Sequence, residues 1–187
     1  MENPTSESDK MAHETNPKDQ HFTPLRIAVL KISDTRDEKS DDVGRELVDM
    51  IEKDGHKVLE KVIVKDDKYQ IRAAISKWVA TRAPQVILTT GGTGITGRDG
   101  TPEAIRPLFD KELEGFGELF RAKSYEKIGL ASLQSRCTAG VANGVYIFCL
   151  PGSRGAVKDG WNLILPQLDS RTRPCNLVMH ISRLLET

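Results

Sequence analysis

Thr89-Thr90-Gly91-Gly92-Thr93-Gly94-Ile95-Thr96-Gly97-Arg98-Asp99-Gly100-Thr101-Pro102-Glu103-Ala104 is the stretch around which the rest of the chain is arranged. It follows the apolar run Val86-Ile87-Leu88, so it reads as a loop leaving the end of a buried strand. Four glycines, Gly91, Gly92, Gly94 and Gly97, fall within seven positions and let backbone N–H groups approach a ligand with no Cβ in the way. Thr101-Pro102-Glu103 then predicts a helix start, with Thr101 as N-cap, Pro102 at the first helical position and an acidic first turn. Open α/β sheets hold anionic ligands at such a junction, beside the carboxyl end of a strand and the exposed N–H groups of a helix.

Two known spacings overlap here. Gly92-x-Gly94-x-x-Gly97 matches the dinucleotide pattern, but that pattern needs the helix to begin inside the motif, and here Arg98, Asp99 and Gly100 intervene. Gly92-x4-Gly97-Arg98-Asp99 fits the phosphate-loop spacing, with Asp99 standing where Ser or Thr would meet magnesium. A carboxylate there repels phosphate unless a cation lies between them. The bland alternative is a plain glycine turn, and the pairing of Arg98 with Asp99 argues against it.

The chain has 187 residues, enough for one domain with a sizeable core. Its 27 Lys and Arg balance 27 Asp and Glu, so nothing suggests a nucleic-acid footprint or a polybasic membrane patch. No apolar run approaches the roughly 20 residues of a bilayer span, and no signal-peptide stretch opens the chain. Cys137, Cys149 and Cys175 are scattered and read as reduced core thiols of a cytoplasmic protein. The four histidines are equally dispersed, which disfavours a His-based metal site, and no Ser-His or Cys-His nucleophile pair is visible.

Residues 1–21 are polar and lack an apolar period, so they are expected to be disordered or loosely packed ahead of a single domain over 22–187. Leu25 to Ile32 predicts a covered parallel strand that runs into Ser33-Asp34-Thr35-Arg36. Asp41-Asp42-Val43-Gly44 opens a helix with Val43, Leu47, Met50 and Ile51 on one face, stopped by Gly55. A strand over Lys57 to Val64 follows, and Asp66 or Asp67 caps the next helix, whose stripe is Ile71, Ala74, Ile75, Trp78 and Val79. Beyond the glycine loop, helices are expected over Pro102 to Lys111 and Glu112 to Glu126. Cys137 to Val141 and Val145 to Leu150 predict a hairpin turning at Asn143-Gly144. Ser153 caps a helix bearing Val157, Trp161, Ile164 and Leu165, and a last helix spans Asn176 to Leu185. The alternation argues a three-layer α/β/α sandwich on a mostly parallel sheet with an antiparallel edge hairpin. Its loops at Ser33-Asp34, Asp66-Asp67, Gly91 to Asp99 and Pro151 to Arg154 then face one edge.

The GGTG of the glycine loop and its Arg-Asp-Gly-Thr-Pro-Glu-Ala resemble the signature of the molybdenum cofactor biosynthesis family of MoaB and MogA, to which the gephyrin G domain and the central domain of MoeA are similar. The likeness runs from about Phe22 to His180, through Ile32-Ser33-Asp34, Gly115-Phe116-Gly117-Glu118, Leu133-Gln134-Ser135-Arg136, Leu150-Pro151-Gly152-Ser153 and the segment from Pro166 to Pro174. That last segment, with the residues around Gln134, points to the MoaB branch. The resemblance implies a protein that joins molybdopterin to AMP, using ATP and Mg2+ and releasing pyrophosphate. It also implies a trimer, or a hexamer of two trimers, working beside other proteins of the pathway.

The residues suit that chemistry, because several negative charges must be brought together. Gly91, Gly92, Thr93 and Gly94 offer backbone N–H groups, and Arg98 offers a cation to phosphate. Asp99 and Asp66 are the expected catalytic carboxylates and magnesium ligands. Ser33 and Asp34 are expected at the nucleotide, and Pro151, Gly152, Ser153, Ser135 and Arg136 at the pterin. Two other readings stay open at this point: a non-catalytic pterin- or nucleotide-binding assembly module, and a nucleotide pyrophosphatase like the similar domain of competence-damage proteins.

Overall fold

In the computed structural model, residues 21–186 are described; the expected N-terminal segment, apart from His21, lies outside them. Six strands, β1 (Arg26–Ile32), β2 (Lys57–Val64), β3 (Val86–Thr90), β4 (Lys111–Glu112), β5 (Thr138–Ala142) and β6 (Val145–Leu150), form one sheet in the order β2-β1-β3-β6-β5-β4. The first four of that order run parallel, with Val29 opposite Leu88 and Leu88 opposite Phe148. β5 returns antiparallel to β6, and β4 antiparallel to β5.

Successive side chains of a strand point to opposite faces, and β1 is apolar on both. Ile27 and Val29 share one buried cluster with Leu47 and Ile51 of α1 (Asp42–Lys53), Phe116 and Phe120 of α4 (Glu114–Ile128), and Val157, Trp161 and Ile164 of α5 (Arg154–Leu168). Ala28, Leu30 and Ile32 meet Ile71, Ile75 and Trp78 of α2 (Lys68–Thr81), and Ala104 and Ile105 of α3 (Thr101–Ile105). This is the three-layer α/β/α sandwich. From β1 the chain steps outward through α1 to β2, then back across β1 through α2 to β3. Right-handed crossovers in opposite directions put α1 and α2 on opposite faces. The reversal opens a crevice at the carboxyl ends of β1 and β3, the switch point where such sheets hold ligands.

Caps set the helix starts. Asp41 accepts from the Gly44 N–H at 2.9 Å, and Asp67 from Tyr69 and Gln70 at 3.0 and 2.9 Å. Asp67 is therefore the cap of α2, which leaves Asp66 for the loop beyond β3. The hairpin turn takes Asn143 at φ 46° and Gly144 at φ 77°, both left-handed, as a two-residue turn requires.

Four expectations are corrected. The helix from Pro102 stops at Ile105 instead of reaching Lys111; a 3-10 turn covers Arg106–Leu108, since Pro107 lacks the N–H that an α-helix would use. The chain then forms β4, which adds a sixth strand outside the hairpin. Phe109 sits where a Cβ on Gly140 would come within 2.5 Å, so a glycine in β5 admits it. The last helix is a run of 3-10 turns over Leu177–Arg183, and the Tyr146 hydroxyl donates to its Leu177 carbonyl at 3.0 Å. Thr101 is not the cap of α3: Gly100 holds that position, with no side-chain bond. Finally, Cys137 and Cys149 are buried, their thiols pushed up to about 12 chiefly by burial, whereas Cys175 is exposed. No helix among the described residues is long and apolar enough to cross a membrane.

Candidate functional site

Three strand ends build the site. Gly91 and Gly92 leave β3 at φ 111° and 65°. A Cβ on Gly91 would stand 2.3 Å from the Ile32 carbonyl, and one on Gly92 would stand 2.3 Å from the Thr101 hydroxyl. The loop is thus pressed against the end of β1 and folded over α3. Thr101 closes it: its hydroxyl donates to the Gly91 carbonyl at 2.9 Å and its N–H to the Gly92 carbonyl at 3.0 Å. This inward hydroxyl is why Thr101 cannot cap α3.

The Gly91 N–H donates to the Leu150 carbonyl at 3.1 Å, extending the β3–β6 ladder past the strand end. Thr90 donates its hydroxyl to the Pro151 carbonyl at 3.0 Å, and Gly152 lets the two loops touch, a Cβ there lying 3.3 Å from the Gly91 Cα. Ser153 caps α5, accepting from the Ala156 N–H at 3.4 Å.

The polar residues of the loop hold one another. Asp99 accepts from the Thr96 N–H at 2.9 Å and the Thr96 hydroxyl at 2.6 Å. The hydroxyl, against the opposing effect of burial, holds the Asp99 carboxyl below its ordinary value, with help from the N–H groups of Thr96 and Gly94. Arg136 clamps the loop from outside, donating to the Gly94 carbonyl at 2.7 Å and the Asp99 carbonyl at 2.8 Å while pairing with Glu103. Arg98 reaches Asp34 at 2.6 Å, and that bond keeps the Asp34 carboxyl low. The other Asp34 oxygen accepts from the Asp66 N–H at 3.2 Å. Asp66 accepts from the Gly100 N–H at 3.4 Å. Burial raises its carboxyl, and the neighbouring charges of Asp99 and Asp34 raise it further.

Two clefts flank this loop. One, of about 490 Å³, is lined by Asp66, Asp67, Arg98, Asp99, Glu103 and Arg136 among others. The second, of about 500 Å³, is lined by Gly91 to Gly94, Asp99, Ser135, Pro151, Gly152 and Ser153, with Lys31 and Ile32 from β1 and Phe120 from α4. Asp99 lines both. Of the sequence-predicted residues, Ser33 and Asp34 line neither: the Ser33 hydroxyl accepts from the N–H groups of Thr35 and Arg36 at 3.3 and 3.1 Å, within its own loop. Gly91 to Gly94, expected at the nucleotide, share a cleft with Pro151 to Ser153, expected at the pterin. Arg136, expected at the pterin, faces the other cleft with Asp66 and Arg98.

Among the described residues no group of three or more His, Cys, Asp and Glu stands together as a metal-binding cluster. Asp66 and Asp99 are hard oxygen donors lining one cleft, which fits magnesium shared between one or two carboxylates and substrate phosphates. Sequence reasoning missed Lys31, which is 6% exposed at the end of β1. The signal was a single charge inside the apolar run from Ile27 to Ile32. The roles of Thr96 and Thr101 left no such trace.

Residues 28–170 match a family model described as "Probable molybdopterin binding domain". The molybdenum cofactor biosynthesis protein B of Escherichia coli (strain K12) is 52% identical over 163 residues, covering 87% of this chain and 96% of that protein. A crystal structure of a molybdenum cofactor biosynthesis protein B superposes with a TM-score of 0.77 at 45% identity, covering 80% of this chain and 94% of that one. The tungsten cofactor synthesizing protein MoaB from Pyrococcus furiosus superposes with a TM-score of 0.68 at 42% identity, covering 75% and 90%. With the glycine loop, the switch-point crevice and these matches in agreement, the chain belongs to the molybdenum cofactor biosynthesis family of MoaB and MogA.

Proposed function

We propose that the protein acts in molybdenum cofactor biosynthesis by binding molybdopterin and transferring AMP to it from ATP, with release of pyrophosphate. The observation that carries this reading is the wall that Asp99 and the glycine loop form between two clefts, each large enough for one substrate. The cleft of Ser135 and Pro151 to Ser153 suits the pterin, and the cleft of Asp66 and Arg98 suits the nucleotide phosphates. An oxygen of the pterin phosphate attacks the α-phosphorus of ATP, and the bond from that phosphorus to the bridging oxygen breaks as pyrophosphate leaves. No proton has to be removed, since the attacking phosphate is already ionised.

Catalysis then rests on positioning and charge. The N–H groups of Gly92 and Thr93 have no acceptor among the described residues and are free to donate to a phosphate. Arg136 fixes the loop at Gly94 and Asp99, so these donors are set before substrate arrives. Asp66 and Asp99 would hold Mg2+, which, when bound, neutralises charge on the departing pyrophosphate.

The test is a single turnover with molybdopterin, Mg-ATP and purified protein, scored for pyrophosphate, on the parent and Asp99→Asn. The substitution keeps the shape and removes the charge. Its expected effect is a rate lower by on the order of a hundredfold or more, with a much smaller change in molybdopterin affinity. Equal rates would sink the role of Asp99. A parent that binds molybdopterin yet releases no pyrophosphate would leave a pterin-binding assembly module as the function.

A further inference from the structure

Lys31 is a cation in a place where cations are rare. It sits at the sixth position of β1, is 6% exposed, and turns to the face of Ile27 and Val29 rather than to solvent. Its ammonium lies 4.0 Å from the position a Cβ on Gly152 would take, beside the seam where Gly152 approaches Gly91. Among the described residues that ammonium has neither a hydrogen bond nor an ion pair. The nearest carboxylate that acts on it, Asp41, is already engaged: it accepts from the Gly44 N–H and pairs with Lys61 at 3.0 Å. Lys61 also holds Glu38 at 2.9 Å. Burial lowers the Lys31 ammonium from its usual range, Asp41 opposes this, and Arg36 and Lys61 add to it.

A buried cation without a partner is costly unless an anion joins it. The space in front of Lys31 is built for one. Gly92 and Thr93 present unused N–H groups, and the amino end of α5, a helix of fifteen residues, opens there behind Ser153. The remaining wall includes the apolar side chains of Ile32, Phe120 and Ile128. Together these are donors for a phosphate and an apolar lining for a ring.

We infer that Lys31 receives the phosphate monoester of the pterin substrate, closing a cradle with the glycine loop and the amino end of α5. This rests on the reading that the cleft of Pro151 to Ser153 binds molybdopterin. The departing pyrophosphate of the nucleotide belongs across the loop, where Asp66 and Arg98 stand, and the α-phosphate at Asp99, which lines both clefts. Lys31 thereby determines which pterins are bound: those with a phosphate are preferred over those without.

The experiment measures binding of molybdopterin, of its dephosphorylated form and of Mg-ATP to the parent, Lys31→Met and Lys31→Gln. Both variants should lose about tenfold to a hundredfold in molybdopterin affinity, the worth of one charged hydrogen bond. They should bind the dephosphorylated pterin and Mg-ATP as the parent does. Without ligand, Lys31→Met should melt at or above the parent temperature, because a buried unpaired charge is gone. Unchanged molybdopterin affinity would overturn the inference, as would an equal loss for both pterins. A loss confined to Mg-ATP would reassign the lysine to the nucleotide, and unfolding of both variants would show that it serves the fold instead. A parent that binds neither pterin would sink the underlying reading, whereas one that binds but does not transfer AMP leaves the role of Lys31 standing.

Discussion

Among the described residues His56 is the one histidine in the core, 4% exposed, between the rings of Phe22 at 5.2 Å and Trp161 at 6.0 Å. Its Nδ1 accepts from the Leu25 N–H at 3.2 Å, so the ring is neutral there, and its buried Nε2 has no partner among the described residues. Burial lowers its pKa, and the charges of Asp54 and Asp169 only partly oppose this. A proton on Nδ1 would face a donor and break the bond to Leu25. Because the folded pKa lies below the unfolded value of about 6.5, the unfolded chain binds the proton first as pH falls. Stability is therefore full above about pH 6.5 and declines below it, by at most about 1.4 kcal/mol per pH unit from this group. His56→Asn keeps an acceptor and does not titrate. Denaturation midpoints followed from about pH 7.5 to about pH 5.5 should fall less steeply in the variant; parallel curves would refute the assignment.

At the scale of elements, the glycine loop works because its glycines have different duties. Gly91 combines a left-handed φ with contact to the Ile32 carbonyl, whereas Gly97 has nothing within 4 Å of its Cβ position. Gly91→Ala should destabilise the fold by about 1–3 kcal/mol from backbone strain alone. It should also weaken pterin binding, since the β1 end, the loop and Pro151 move together. Gly97→Ala should stay within about 0.5 kcal/mol of the parent and bind normally. Thermal melts and pterin titrations on the two variants decide it, and matching behaviour would show that glycine content, not position, shapes the loop. Much of the loop was readable in sequence because a strand end, glycines and a proline-led helix start are all local signals. The cap at Gly100 and the early end of α3 were not. Thr101 turns inward only because Gly91 lies across from it, and β4 forms only because β5 is there to pair with it.

For the whole molecule, α4 and the turns after it leave large apolar side chains exposed. Leu119 and Ile128 are each 58% exposed, and Leu130 and Leu133 are 72% and 77% exposed. Leu119 also borders an apolar groove of about 260 Å³ with Phe116, Phe148 and Leu163. An apolar groove bordered by an exposed leucine is a candidate interface. The expected assembly is a trimer or a hexamer that covers it, in which Leu119→Lys shifts the population toward smaller species. Sedimentation at micromolar concentration measures both, and a monomeric parent would defeat the expectation.

The sequence by itself determined the layer architecture and the loops that carry chemistry. Apolar period, glycine clusters and caps act over a few residues, so Gly91 to Asp99, Pro151 to Ser153 and the hairpin at Asn143-Gly144 could be named before any fold was known. Only the tertiary structure decided how they share the work. It gave Asp67 to the cap of α2 and Asp66 to the crevice, tied Arg98 to Asp34, and turned Arg136 into a clamp on the glycine loop. It placed Gly91 to Gly94 in the cleft of Pro151 to Ser153 and brought Lys31 to the floor of that cleft. Apart from the local cap at Asp67, these are meetings between positions 34 to 121 apart, and charge and hydrogen bonding choose among such partners only after the sheet order has set which strand ends are neighbours.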